Sequence, residues 1–330
     1  MLLRKISVVI GVFLISVTSH GQKKYVVYAS MEKMNAEIEL DQGNIEMAKK
    51  RYLWAKQYID LAVTNDETRN DQKALWLQAD IYSRILFLGM DSNDKEFGNT
   101  VGSDGMAVIL ASLKKAYAMG EKFREQIILT AELNRSKINN VGQKAYATEQ
   151  YDQAAEAFKL QATFADCIDV VDTVAIYNAA ICYQKTKQLE KAALQYERLD
   201  DPNNKQLYLD KATVLFELGK NEAGEKALNK ALEIDPNDAD VQLRLGASLV
   251  NWVSELESEM NNLSPNETAK RNEINKKRQD LYNRALVPLE KYIAINPKNK
   301  SVLTTLYQIY QSFNNTEKAM EFKRRADNAE

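Results

Sequence analysis

Histidine is almost missing from this chain: its 330 residues hold one, His20. Imidazole is the usual group for proton transfer near neutral pH and a common zinc ligand. A histidine-based triad, zinc centre or general base therefore has almost nothing to draw on, and HExxH and GxSxG do not occur. Two cysteines exclude a disulfide framework. Twelve glycines and five prolines are few, with glycine at about half of its usual ~7% share. That scarcity argues against a glycine-turned β-sandwich and against a linker-like chain. Charge of one sign is also missing. The 44 basic and 46 acidic residues leave a formal net charge of −2, so there is no basic field for nucleic acid and no acidic tail. What is present, 45% hydrophobic beside 27% charged residues, is the composition of a soluble folded chain.

The first 21 residues read as an address. Arg4 and Lys5 precede an apolar run from Ile6 to Val17, and Ser19, His20 and Gly21 follow. This is the order of a secretory signal peptide, cleaved after about Gly21. The run is about twelve residues, short of the ~20 of a membrane-spanning helix, and no later segment approaches one. Cleavage would remove the only histidine and make the balance two charges more acidic. The expected product, residues 22–330, is exported to the periplasm or envelope of a bacterium.

Between the sparse glycines and prolines the apolar spacing is helical. Ala212, Leu215, Phe216 and Gly219 give one face, and Ala227, Leu228, Ala231 and Leu232 the next. Pro202 and Pro236 lie 34 residues apart, as do Ala285 and Ala319. Gly224 and Ala285 are 61 apart, one such period plus an insertion of 27. Residues 205–238 carry Ala212, Leu215, Gly224, Leu228, Ala231 and Pro236 in register, and 239–299 carry Gly246, Leu249, Ala285, Leu289 and Pro297. Residues 300–330 carry Leu306, Tyr310, Ala319 and Ala326, and 173–204 carry Ala180, Tyr183, Ala192 and Tyr196. Residues 135–168 carry Val141, Gly142, Ala154 and Phe158, and weaker matches are Gly43, Ala48, Tyr52 and Ala55 in 29–62 and Trp76, Ala79 and Leu113 in 73–119.

This pattern resembles the tetratricopeptide-repeat family, whose 34-residue unit carries W-x2-L-G-x2-Y, A-x3-F and P. The resemblance implies an all-α fold: a right-handed superhelical solenoid of antiparallel helix pairs, seven units over nearly the whole exported chain. Small residues at Gly142, Ala180, Ala212 and Gly246 would let paired helices approach, and Phe158, Tyr183, Tyr196 and Leu228 would fill the space between neighbours. The last helix, with Lys323 at a position that wants an apolar residue, would cap the array.

Two departures stand out. The insertion near 250–282 reads as a projecting helical hairpin, with Trp252, Leu256 and Leu263 as docking candidates. Its second helix should start with Ser264 as N-cap, Pro265 at N1 and Glu267 as the capping-box acid, and Pro288 should kink it. The other departure, Gly89 to Gly105, fits neither a phosphate loop nor an EF-hand and reads as a surface loop.

The resemblance also implies a groove lined by the first helix of each pair. Here that groove would show Asn139, Asn140 and Gln143, then Tyr177, Asn178 and Ile181, then Leu209, Asp210 and Thr213, then Leu243 and Arg244, and finally Thr304 and Gln308. Side-chain amides offer a donor and an acceptor to an extended peptide. The family's clamp for a C-terminal carboxylate wants a basic residue where Asp210 stands, so that clamp is excluded. The expected function is a non-enzymatic scaffold for a protein or peptide partner, with no cofactor and no metal. Changing Tyr177 and Asn178 to alanine should weaken capture without loss of folding. The alternatives are a glycan or small envelope ligand in the groove, or a carboxylate-based hydrolase. Cys167 and Cys182 are either a disulfide or two small buried apolar residues.

Overall fold

The computed structural model describes residues 23–329, so the leader, His20 and Glu330 lie outside it. Among the described residues there are helices and no strands. The helices are α1 (Lys23–Asp41), α2 (Ile45–Val63), α3 (Gln72–Asp91), the short α4 (Lys95–Gly98), α5 (Gly105–Ala118), α6 (Arg124–Ala147), α7 (Tyr151–Asp166), α8 (Thr173–Lys185) and α9 (Leu189–Glu197). They continue as α10 (Lys205–Glu217), α11 (Asn221–Ile234), α12 (Ala239–Asn261), α13 (Thr268–Ile295), α14 (Lys300–Ser312) and α15 (Thr316–Asp327). The chain divides into two compact units, residues 23–138 with 160–172, and residues 139–159 with 173–329.

Helices pack in successive pairs, and the turn within every pair but α12–α13 repeats one geometry. Gly43, Asn93, Glu149, Lys187, Gly219 and Asn314 all stand at φ between 54° and 78°. In each turn that residue's N–H donates to the carbonyl three back, and the next N–H to the carbonyl five back. Gly219 to Phe216 and Lys220 to Leu215 are one such set; Lys187 to Gln184 and Gln188 to Tyr183 are another. This is the left-handed helix stop that satisfies terminal carbonyls and reverses the chain. Only Gly43 and Gly219 of the six are glycine, and Asp169, at φ 55° between α7 and α8, makes the same two bonds, so the sequence displays the turn in two places and the backbone in seven.

Packing within pairs follows the expected pairing of small against large. A Cβ on Gly142 would meet the Phe158 ring at 2.8 Å, one on Gly224 the Phe216 ring at 2.9 Å, and one on Gly246 the Leu289 side chain at 2.5 Å. Ala180, Ala212, Tyr183, Tyr196, Phe158 and Leu228 are all buried. In the second unit one apolar cluster runs from Tyr208 to Ala329, through α10 to α15. The outer face of α15 shows Lys318, Glu321, Lys323 and Arg324 to solvent, a polar surface over buried Ala319, Phe322 and Ala326.

Three boundaries differ from the sequence reading. Helices α1 and α6 start at Lys23 and Arg124, ahead of the repeat starts at 29 and 135, because repeat matching sees only the register-bearing residues. Helix α13 starts at Thr268, not beside Ser264. The Ser264 N–H and hydroxyl do donate to Glu267 Oε2, at 2.8 and 3.0 Å, but they close a turn ahead of the helix. Helix α13 then runs through buried Pro288 as one element. The 89–105 segment is not a bare surface loop. Phe97 and Val101 are buried, Lys49 Nζ holds Asp94 at 2.8 Å, and the Gly89 and Gly98 backbones touch so closely that a Cβ on Gly89 would lie 2.7 Å from the Gly98 Cα.

Candidate functional site

Every groove candidate lies in the second unit. Asn140, Gln143, Arg244, Thr304 and Gln308 are exposed, and Asn139, Tyr177, Asn178, Ile181, Leu209, Asp210, Thr213 and Leu243 are half-buried. Two of them meet. The Tyr177 hydroxyl on α8 donates to Asp210 Oδ2 on α10 at 2.5 Å, and Gln206 Nε2 donates to Asp210 Oδ1 at 2.8 Å. The Tyr177 ring also packs edge-on against Tyr196, with centroids 6.2 Å apart. Burial, then the Asp210 carboxylate, raise the Tyr177 hydroxyl well above its ordinary 10.0, so it remains a donor. Tyr177 therefore ties one helix pair to the next, and its replacement by alanine would cost stability, contrary to the sequence expectation. Thr213 and Thr304 hydroxyls donate to the carbonyls of Leu209 and Lys300, at 2.9 and 2.8 Å, which leaves them little to offer a ligand.

Beside Tyr177 lies a cleft of about 410 Å³ that the sequence did not reveal. Its apolar lining includes buried Leu199 and Leu207 together with Pro202 and Val174, the last 66% exposed. Its polar lining is Thr173, Asp200, Asp201 and Asn204. Asn204 caps α10 through Leu207 N–H at 3.0 Å, and Tyr208 donates to Asp200 at 2.6 Å. Pro202 was visible as a repeat marker, but only the fold shows that the α9–α10 connection and the start of α8 enclose a space.

The hairpin arm corrects a second expectation. Trp252 and Leu256 are 6% and 7% exposed, packed with Val253, Ile274 and Leu281 between α12 and α13. They are the arm's own core, because two helices that leave the stack must bury a stripe against each other. Leu263 is half-buried at the tip. The outside is ionic: Lys270 pairs with Glu259 at 2.9 Å, Arg278 bonds Glu257, and Lys277 lies 4.4 Å over the Trp252 ring. Asn221 Nδ2 on α11 donates to Glu255 at 2.8 Å, and Arg284 bonds Glu225, so the arm is braced at its base.

Both cysteines are free thiols and buried. Burial pushes Cys167 and Cys182 up to about 11. The buried carboxylates Asp80 and Asp172 each face a base, Lys33 at 2.8 Å and Arg135 at 2.7 Å. Among the described residues no group of three or more His, Cys, Asp or Glu could hold a metal, and no helix is long and apolar enough to cross a membrane.

The chain is similar to solved tetratricopeptide-repeat structures. A crystal structure of YrrB, titled as a TPR protein with an unusual peptide-binding site, is 16% identical, with a TM-score of 0.42, over 58% of this chain and 84% of that one. A crystal structure of MamA is 15% identical, also at 0.42, over 58% and 90%. The P58(IPK) TPR domain spans 92% of this chain and 93% of its own, at 14% identity and a TM-score of 0.33. No protein-family model matches the chain, and no curated protein matches it.

Proposed function

We propose that this chain is a non-enzymatic scaffold that binds a protein or peptide partner along the first helices of its second unit, and that it works in a bacterial cell envelope. The observation that carries the reading is the cleft beside Tyr177. Its floor is apolar, Val174 is two-thirds exposed in its wall, and its polar side is set by Asp200 and Asp201. Such a space suits an apolar side chain flanked by neutral or basic residues. Asn178 lies one residue from Tyr177, half-exposed, with an amide to offer a peptide backbone. The export reading rests on residues 1–21 alone.

The rival ligand reading, a glycan, has less behind it, since Tyr177 is the single ring in the cleft lining and its ring lies against Tyr196. A hydrolase reading gains nothing from the buried carboxylates Asp80 and Asp172, which face Lys33 and Arg135. The test is a peptide-display selection on the exported chain, followed by measured affinities. Selected peptides should carry an apolar residue beside Lys or Arg, and binding should weaken with Val174→Glu. Selection of sugars from a glycan array, with no peptide retained, would overturn the proposal.

A further inference from the structure

Helix α1 is apolar on two opposite faces. One face buries Val26, Ala29 and Ala36, where the helix packs on α2 and α3. The other carries Val27, Met31, Met34 and Ile38, spaced i, i+4, i+7 and i+11, and each is between 43% and 55% exposed. A surface helix is polar on its outer side, and one that is apolar all round is normally covered. The last helix keeps that rule, since α15 turns Lys318, Glu321, Lys323 and Arg324 to solvent. The first helix breaks it.

The exposed stripe reads the same from both ends. About a point between Glu32 and Lys33, Val27 mirrors Ile38 and Met31 mirrors Met34. The flanking charges continue the mirror with opposite signs: Lys24 mirrors Asp41, and Lys23 stands beside Lys24. At 3.6 residues per turn all seven side chains fall within roughly 50° of one line along the helix. Both charges also oppose the helix's own dipole. Lys23 and Lys24 stand in a first turn without an acid, and Asp41 ends a last turn without a base. Lys24 lies over the Tyr25 ring, 5.2 Å from its centroid.

Whatever covers this face must bring an apolar stripe of equal length, an acid to Lys23 and Lys24, and a base to Asp41. An anionic membrane would suit the lysines and repel Asp41. A second α1 running antiparallel supplies all three. We propose that this face of α1 is the seam of a symmetric dimer, formed with α1 of a second copy in antiparallel register. Val27 of each copy meets Ile38 of the other, Met31 meets Met34, and Lys23 and Lys24 flank Asp41 at both ends. A two-fold contact is self-complementary, so one stripe with mirrored charges is all it requires. Methionine side chains are unbranched and adapt to one another across such a seam. The contact is only ~26 Å long, so the dimer dissociates on dilution. It does not depend on the Tyr177 cleft, which lies in the other unit.

The test is sedimentation equilibrium of residues 22–330 over a dilution series, with melting temperatures measured at the dilute end. A reversible monomer–dimer equilibrium is expected. Met31→Glu combined with Met34→Glu should leave a monomer at every concentration and an unchanged melting temperature, because both side chains are exposed. Lys24→Glu and Asp41→Lys each set like charges together at both ends of the seam, and each should weaken the dimer at least tenfold. An equimolar mixture of these two variants should pair as tightly as the parent chain, since both ends then join opposite signs again. A chain that stays monomeric at millimolar concentration, a dimer that survives the methionine changes, or charge variants that do not recover on mixing would overturn the seam.

Discussion

Single residues decide whether neighbouring helices can touch. At Gly89 the contact is with backbone, the Gly98 Cα and N at 2.7 and 2.8 Å from an added Cβ, and backbone cannot step aside as a side-chain end can. Gly89→Ala gains up to ~1 kcal/mol of helix propensity and loses more to the clash, so a net destabilisation of ~1–3 kcal/mol is expected in denaturant unfolding. The thiols make a second residue-scale prediction. With Cys167 and Cys182 held at about 11 by burial, few thiolates exist at pH 8. Native protein should react slowly with a thiol reagent, and denatured, unreduced protein should release two thiols per chain at once; none released would mean a disulfide. The residues whose roles the sequence misplaced, Tyr177 and Trp252, are large and amphipathic. Their places in the repeat, Tyr177 in the groove and Trp252 on the insertion, suggested an exposed function, while the fold uses their rings for packing.

At the scale of elements, the repeated left-handed turn explains why helix pairs were legible and their edges were not. Periodicity marks the buried face of a helix, but its end depends on one residue's φ, and Glu149, Lys187, Asn93 and Asn314 adopt a glycine's conformation without its sequence signal. A left-handed conformation costs such residues ~1–2 kcal/mol, partly offset by the lower chain entropy of a non-glycine residue in the unfolded state. Glu149→Gly should therefore raise stability by up to ~1 kcal/mol, and Gly219→Ala should lower it by about as much, both read by denaturant midpoints. The arm follows the same logic. Because Trp252 fills its interior, Trp252→Ala should cost ~3–5 kcal/mol, seen as early melting of α12 and α13 in hydrogen exchange. Lost partner binding with unchanged exchange would restore the docking role. The extra turns of α12 and α13 in the arm were readable from 27 surplus residues, whereas its bracing on α11 through Glu225 and Asn221 joins positions 59 and 34 apart and had no local signal.

For the whole molecule, the absence of histidine among the described residues shapes the pH response. Asp238, held by Lys205 and by the Val241 N–H, titrates below its ordinary 3.8, so its contribution is present above that value and is lost as pH falls through its lower folded one. Tyr208, pushed by burial to about 12, and Tyr183 and Tyr196, raised further, contribute below pH 10 and lose that contribution as pH rises beyond it. The melting temperature should be flat from about pH 5 to 9 and fall on both sides; a step between 6 and 7 would contradict this. Fold class was legible because a 34-residue period repeats the same buried pattern many times. The cleft was not, because Val174, Tyr177, Leu199 and Asn204 come from separate elements and meet only in space. The central claim, that this cleft takes a polypeptide, is tested most directly by the dissociation constant of a display-selected peptide for residues 22–330 and for their Val174→Glu variant, with both melting temperatures measured. A tenfold or greater weakening at an unchanged melting temperature is expected; an unchanged affinity would contradict the account.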